Sequence, residues 1–481
     1  YDNTVHNIKY GLHRLFGARK ADVELDNALR SNQDNMRRGP LKPYIDRMVG
    51  VFEEKFLQTK LNEIHEEAVK ELADMPHVKR LLRQRAYKKL VECGMLLDDL
   101  YMSKVKAKLK CLEKAKPGKK PRIIGDYSTE GSLLGGYLIS RFKKAFTNNI
   151  LDHPDDQIVF CDSPDVDVLS SVFKAHMNCK KFRCTYYSDD SIFSIRTKDG
   201  VLRHYCVDIS SCDISNGPPV FNLLLEMTKS DRVAHDLVRR LVKQCGQPLQ
   251  ISHPHNPRER FKLTTDHGTP VEYSGSLITT VLNNIATSLI ALSVYAHVKE
   301  GVAKEDVDTT IKKAAAAVGY IVTVGERDDF HSLQFLKNSP TSTGDSYVNL
   351  GVLLRGLGSC RGDFPGSGSI AKRVEVFAQS VVAGYAHAGD NIITRALRKR
   401  FAGKERVKLP TDTVNYMLTT LTGEESVVPT TDLATRYGCT VSDLHQLESL
   451  ILSLKVGDVI NCRALDKIFN VDYEYPSQSL E

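Results

Sequence analysis

The spacing of apolar positions divides the chain into three kinds of stretch. Over the first 110 or so residues, apolar side chains recur at helical spacing among long charged faces, which predicts helices. Pro117-Gly118 breaks that pattern, a basic strand-like segment follows, and GGYLISRFKKAF reads as a helix again. From Gln157 to Val207 short β-rich runs dominate. A helix is predicted from about Phe221 to Gln244, stopping at Gly246. PLQISHP and RFKLTT, joined by HNPRE, form a predicted hairpin. A long helix is predicted from about Ser276 to His297, and the segment from about Glu305 to Asn338 reads as helix, strand, turn, strand. Beyond Asp345 the chain is mostly helical, and no internal repeat or low-complexity tract interrupts it. The order helical, β-rich, helical fits an α+β core framed by helices better than a regular β-α-β alternation.

Composition narrows this only slightly. With 41% hydrophobic and 26% charged residues the chain is of ordinary globular type. Its 481 residues predict one large domain or several interlocked ones. The longest apolar stretches, such as SLIALSVYA, are core-sized, so no membrane span is expected. The chain starts at Tyr1 without a signal-peptide pattern, the expectation for a processed polyprotein, a trimmed chain or a start preceded by further residues. The eleven cysteines are scattered, with no Cys-x-x-Cys spacing, so reduced thiols in a cytosolic setting are expected in place of a disulfide frame or a zinc site. His253 and His255 flank a proline and read as loop residues. The net charge of +7 is concentrated in VKRLLRQRAYKK, SKVKAKLK, KAKPGKKPR and RALRKRFAGKERVK. Such runs suit a polyanionic partner or a solvated helix face equally well.

The candidate chemistry lies in two acidic segments. In CTYYSDDSIFSI, two β-type runs flank Ser188-Asp189-Asp190-Ser191, a hairpin pattern with two carboxylates at its tip. A solvated turn is the plainer explanation, since Asp is a common turn former. In RHYCVDISSCDISNG, Asp208 ends an apolar strand-like run and Asp213 follows where the chain turns toward a helix. A strand-end turn and a helix cap would explain those two. Together the segments point elsewhere. Nucleotidyl transfer uses two divalent cations roughly 3.5–4 Å apart, and hard cations take carboxylate oxygens. A strand-end Asp beside an Asp-Asp hairpin supplies them.

With these residues the chain resembles the palm of viral RNA-dependent RNA polymerases. Asp208 and Asp213 match motif A of that family, an Asp, four residues, then an Asp. Ser188-Asp189-Asp190 matches the motif C hairpin, usually written Gly-Asp-Asp. SGSLITTVLNN matches motif B at Ser274, Gly275, Thr279 and Asn283. Thr279 and Asn283, four apart, share a helix face, and Gly275 permits an unusual backbone and the close approach of a nucleotide. An N-cap serine before a core helix would also produce this pattern. KKPRIIGDYS resembles motif F, which implies that Lys120 and Arg122 contact phosphates; a plain basic surface strand is the alternative. AAAAVGYIVTVGERDD resembles motif D, with Arg327 where the family often has a lysine. An arginine there is a poorer proton donor and a better phosphate clamp. LQFLKNSP resembles motif E, so Phe335, Leu336 and Lys337 would form the primer-side hairpin.

The order of these motifs is C, A, B, D, E, whereas most of the family places C after B. It is similar to the permuted polymerases of birnaviruses and permutotetraviruses, although those tend to carry Asp-Asn where this chain has Asp189-Asp190. The resemblance covers about residues 116–340. It implies a right-hand α+β fold: fingers over residues 1–155, palm (antiparallel sheet plus helices) over 156–215, a fingers insertion over 216–268, palm again over 269–345, and a helical thumb over 346–481. It further implies two Mg²⁺ or Mn²⁺ ions held by Asp208, Asp189 and Asp190, and ribose recognition by Asp213 and Asn283 with Ser274 or Thr279. The implied partners are template RNA, nascent RNA and ribonucleoside triphosphates, with viral capsid or replication proteins beyond them. The implied setting is the host cytoplasm or the virion. Two alternatives remain at this level. One is a reverse transcriptase-like polymerase. The other is a non-catalytic nucleic-acid-binding protein with a helix-turn-helix in DLATRYGCTVSDLHQLESL, within residues 431–455.

Overall fold

The computed structural model describes residues 1–16, 22–56, 77–92, 105–111, 119–126, 129–146, 149–151, 153–162, 164–264, 268–325, 329–357, 360, 363–403 and 423–473. Arg327 and parts of the basic runs, residues 112–118 and 404–408, lie outside them.

A five-stranded sheet holds the centre. Its strands are β3 (Asp156–Phe160), β4 (Phe182–Tyr187), β5 (Asp190–Arg196), β6 (Leu202–Ile209) and β9 (Val322–Val324), in that spatial order. β4 and β5 form the predicted hairpin around Ser188-Asp189. β6 returns antiparallel against β5, and β9 pairs antiparallel with β6. β3 and β4 run parallel. The helix Val166–Met177 makes that crossover, so one β-α-β unit sits in a region whose sequence reads as short strands only. Its apolar residues, Val166, Leu169 and Phe173, are few enough for the flanking strand-like runs to mask the helical period.

Alternation along the strands gives the sheet two different faces. Phe182, Cys184, Tyr186, Phe193, Ile195, Tyr205, Val207 and Val322 point to the main core. The helix Thr279–Val298 fills that core and is buried on nearly every side. It is long and apolar enough to cross a membrane, but here it is the central core helix. On the other face Ile192 packs with Leu169 and Phe173 of the crossover helix and with Leu333 and Phe335.

The single helix predicted from Phe221 to Gln244 is two, Pro218–Met227 and Arg232–Cys245. Asp231 ends the break by accepting from the N–H groups of Val233 and Ala234, an N-cap that restarts the helix. A second sheet, in the order β2 (Ile123–Asp126), β1 (Val105–Leu109), β7 (Leu249–Ser252), β8 (Arg260–Leu263), contains the predicted HNPRE hairpin and packs on the N-terminal helix Val5–Phe16 through Ile8 and Leu15. A separate core gathers the C-terminal helices with the short hairpin β10 (Asn338–Pro340) and β11 (Ser346–Val348).

The proposed helix-turn-helix exists as the pair Thr430–Tyr437 and Val441–Leu452, with Gly438 left-handed between them at φ 62°. Its apolar residues Leu433, Tyr437, Leu444, Leu447 and Ile451 are buried in the C-terminal core. Arg436, also buried, donates to the carbonyls of His331 and Leu333 and pairs with Asp472 at 3.0 Å. The pair is thus used to dock the C-terminal helices onto the central sheet.

Candidate active site

The site is built where the β4–β5 turn meets the end of β6. Asp190 and Asp208 are directly opposed in the antiparallel register, which sets their Cα atoms about 4.5–5.5 Å apart. Directly opposed residues share a face of the sheet, so both side chains leave it on the same side. Asp189 occupies the turn immediately before Asp190, and Asp208 is exposed at its strand end. The hairpin therefore stands beside Asp208 in space although it precedes it in sequence.

The turn depends on the helix Thr279–Val298. Ser188 adopts a left-handed conformation, φ 55°, uncommon for a residue with a side chain. Three contacts hold it there. Its N–H donates to Asn284 Oδ1 at 2.6 Å, its carbonyl accepts from Thr287 Oγ1 at 2.6 Å, and its hydroxyl accepts from Asn283 Nδ2 at 3.3 Å. Helical spacing of residues 283, 284 and 287 lets one helix make all three contacts.

Asp190 is fastened from the opposite direction. Leu336 N–H donates to its Oδ2 at 2.8 Å. The donor sits in a two-residue turn closed by paired Phe335–Asn338 backbone bonds of 2.9 Å, with Leu336 and Lys337 both at positive φ. Burial pushes the Asp190 carboxyl up to about 7, the Leu336 N–H opposes the shift, and the nearby Asp189 and Asp208 charges add to it. A carboxyl whose folded pKa stands above its ordinary 3.8 stabilises the fold fully below about pH 4 and loses that contribution as pH rises through about 7. In chelator, Asp190→Asn is accordingly expected to flatten the fall in stability between about pH 4 and 7. Urea denaturation across that range checks this, and an unchanged slope in the variant would contradict it.

A cleft of about 560 Å³ opens in front of these acids. Its lining includes Asp189, Asp208, Asp213, Ser274, Thr279 and Asn283, with Lys120 and Arg122. Eight of the sequence-derived positions thus share one space, contributed by the central sheet, the core helix and the segments that lead into β2, the short helix Cys212–Ser215 and the core helix. Asp213 lies in the short helix Cys212–Ser215, entered through a left-handed Ser211 at φ 52°. Lys120 also meets His13 Nδ1 at 2.7 Å, and Arg14 donates to the Lys120 carbonyl at 3.1 Å. The N-terminal helix thereby braces the basic wall and adds Arg14 to it.

Other expected positions fall elsewhere. Gly275 is left-handed at φ 90°, but its close neighbour is β2: a Cβ there would lie 3.0 Å from Ile124 Cγ2 and 3.1 Å from the Gly125 carbonyl. The glycine lets the segment before the core helix lie against β2, next to a Ser274–Ile124 bridge. Phe335 is fully buried beneath the central sheet, so it packs the Leu336-Lys337 turn and offers no surface to a primer.

The sequence reading missed Arg14, Lys119, Asn216 and Glu272. Arg14, Lys119 and Glu272 line the cleft. Asn216 donates to Glu272 Oε2 at 2.6 Å and accepts from Tyr320 Oη at 2.6 Å. Glu272 lies two residues before Ser274-Gly275, a position whose importance no spacing rule indicates.

The donor set suits hard cations. Asp189 and Asp208 are close, carry oxygen ligands and face a wall of cations that fits a polyphosphate. No three carboxylate, histidine or cysteine groups among the described residues form a ready-made cage.

No protein-family model and no curated protein matches the chain. The solved structures that match include the RNA polymerase VP1 from Infectious Pancreatic Necrosis Virus, at 10% sequence identity and a TM-score of 0.34. That match takes in 56% of this chain and 35% of the VP1 chain. A likeness of that size fixes no activity, so the geometry of the cleft has to carry any reading of function.

Proposed function

We propose that the chain is an RNA-dependent RNA polymerase that replicates and transcribes a viral RNA genome by two-metal nucleotidyl transfer. The observation that carries this reading is the register of β5 on β6, which sets Asp190 opposite Asp208, with Asp189 in the adjoining turn. Asp208 and Asp189 would hold two Mg²⁺ or Mn²⁺ ions, which when bound would activate the attacking 3′-hydroxyl and neutralise the triphosphate and its pyrophosphate leaving group. Asp190 would steady the pair from behind through its bond to Leu336.

The remaining roles belong to the protein alone. Lys120 and Arg122, with Arg14 and Lys119, would orient the triphosphate by charge-assisted hydrogen bonds. Asp213 and Asn283, with Ser274 or Thr279 nearby, would receive the ribose. The base would be chosen by pairing with the template. On this reading residues 1–155 and 216–268 act as fingers, 156–215 and 269–345 as palm, and 346–481 as thumb. The exposed Lys106 and Lys108 of β1 suit contact with template phosphates.

Arg122→Ala is expected to raise KM for ribonucleoside triphosphates about tenfold, the loss of one charge-assisted contact of ~1.4 kcal/mol. Steady-state incorporation checks this, and an unchanged KM would remove Arg122 from the triphosphate site. The function itself is tested by primer extension on an RNA template with purified protein and Mg²⁺ or Mn²⁺. Template-complementary ribonucleotide addition is expected. Preference for deoxynucleotides would favour a reverse transcriptase-like enzyme, and RNA binding without incorporation would favour a non-catalytic protein.

A further inference from the structure

Glu272 does not fit a purely structural role. Its side chain is 0% exposed, yet the residue lines the cleft that holds Asp189, Asp208 and Asp213. Its Oε2 accepts from Asn216, while its Oε1 has no hydrogen-bond partner among the described residues. Burying an unpaired carboxyl oxygen is unfavourable, and buried polar atoms are otherwise nearly always paired. A second polar group of a ligand in the cleft would remove that cost.

The surroundings make the group rigid. Asn216 is gripped between Tyr320 Oη and Glu272, and its amide also approaches Asn283 Oδ1 at 3.4 Å. Behind Glu272, Thr279 Oγ1 donates to the Tyr273 carbonyl at 2.8 Å, and the Ser276 N–H donates to it at 3.1 Å. The carboxyl is thus preset beside the two residues assigned to the ribose, Asp213 and Asn283. Burial pushes it well above the usual carboxylate range, and the Asp213 and Asp189 charges push it the same way. That shift favours the protonated form, whose Oε1–H can donate. Asp213, an ordinary acceptor when ionised, faces the same space.

We propose that Glu272, positioned by Asn216, is a specificity-determining residue that donates a hydrogen bond from its Oε1 to the 2′-hydroxyl oxygen of the incoming ribonucleotide. The hydroxyl proton is then available to Asp213 or Asn283. A deoxynucleotide leaves the Glu272 donor unmatched, and a site built to bond a hydroxyl rejects the analogue that lacks it. This inference rests on the polymerase reading above.

The test compares kcat/KM for ATP and 2′-dATP in single-nucleotide primer extension by the wild-type chain, Glu272→Gln and Glu272→Ala. Glutamine keeps both an acceptor for Asn216 and a donor toward the cleft, so its ribose preference should stay within about threefold of wild type. Alanine should lower that preference at least about tenfold, through loss of ATP use and not through a general loss. Glu272→Leu, which keeps the buried volume, replaces the alanine variant if that does not fold. Equal losses with both nucleotides, or an unchanged preference in the alanine or leucine variant, would overturn the assignment and leave the polymerase reading intact. Wild-type protein that adds neither nucleotide would overturn both.

Discussion

Asp208→Asn is expected to reduce RNA synthesis at least about a thousandfold, a loss of ~4 kcal/mol of transition-state stabilisation, while leaving the fold intact. The two consequences separate because of where the residue sits. Its side chain is exposed at the end of β6, so no packing is lost. Its backbone remains paired with Asp190 on one side and Thr323 on the other. Asn keeps the shape but removes the charge on which cation binding depends. Asp189→Asn should behave alike, since the turn is held by Ser188 and the core helix and not by the Asp189 carboxylate. Single-nucleotide addition and thermal melting, measured together, check both halves. Elongation at the wild-type rate by either variant would contradict the assignment of the two acids.

The largest effect on stability is expected far from the acids, at Arg436. Its guanidinium and the Asp472 carboxylate are 1% and 0% exposed and 3.0 Å apart. Asp472 also accepts from the Gly351 N–H at 2.8 Å and Tyr437 Oη at 2.9 Å. Arg436→Met would leave that carboxylate buried without its countercharge, at a cost of about 3–5 kcal/mol. Removing both charges, as Arg436→Met with Asp472→Asn, should cost less than the sum of the single changes. Activity should fall as well in Arg436→Met. The arginine holds the carbonyls of His331 and Leu333, which lead directly into the turn whose N–H fastens Asp190. Equilibrium urea unfolding measures the first effect. A loss below about 1 kcal/mol would place the pair among those that contribute little.

Much of the cleft was legible because its parts are short and local. Asp208 ends an apolar strand, and Ser188-Asp189-Asp190 interrupts two β-type runs, so periodicity alone places them at strand ends. Thr279 and Asn283 share a face by helical arithmetic, and both do line the cleft. What the sequence hid depends on distant partners. The strained Ser188 is tolerable only because residues 96 and 99 positions later bond its backbone. Gly275 looks like a place for a nucleotide to approach, but the approaching group is the strand around Gly125, more than a hundred residues earlier. Glu272 reads as an unremarkable acid in a loop until Asn216 and Tyr320 are brought against it. The crossover helix Val166–Met177 was masked by its apolar neighbours, and the helix break at Thr228–Asp231 by the continuity of apolar spacing across it.

On the proposed reading, the Ser188-Asp189-Asp190 hairpin, which precedes Asp208 in the chain, completes one cation site with it in space. Anomalous scattering from crystals of the protein grown with Mn²⁺ and a non-hydrolysable ribonucleoside triphosphate tests this most directly. The expected result is manganese density bridging Asp189 and Asp208, with the triphosphate against Lys120 and Arg122. Manganese bound elsewhere, or the two carboxylates held apart with no ion between them, would contradict it.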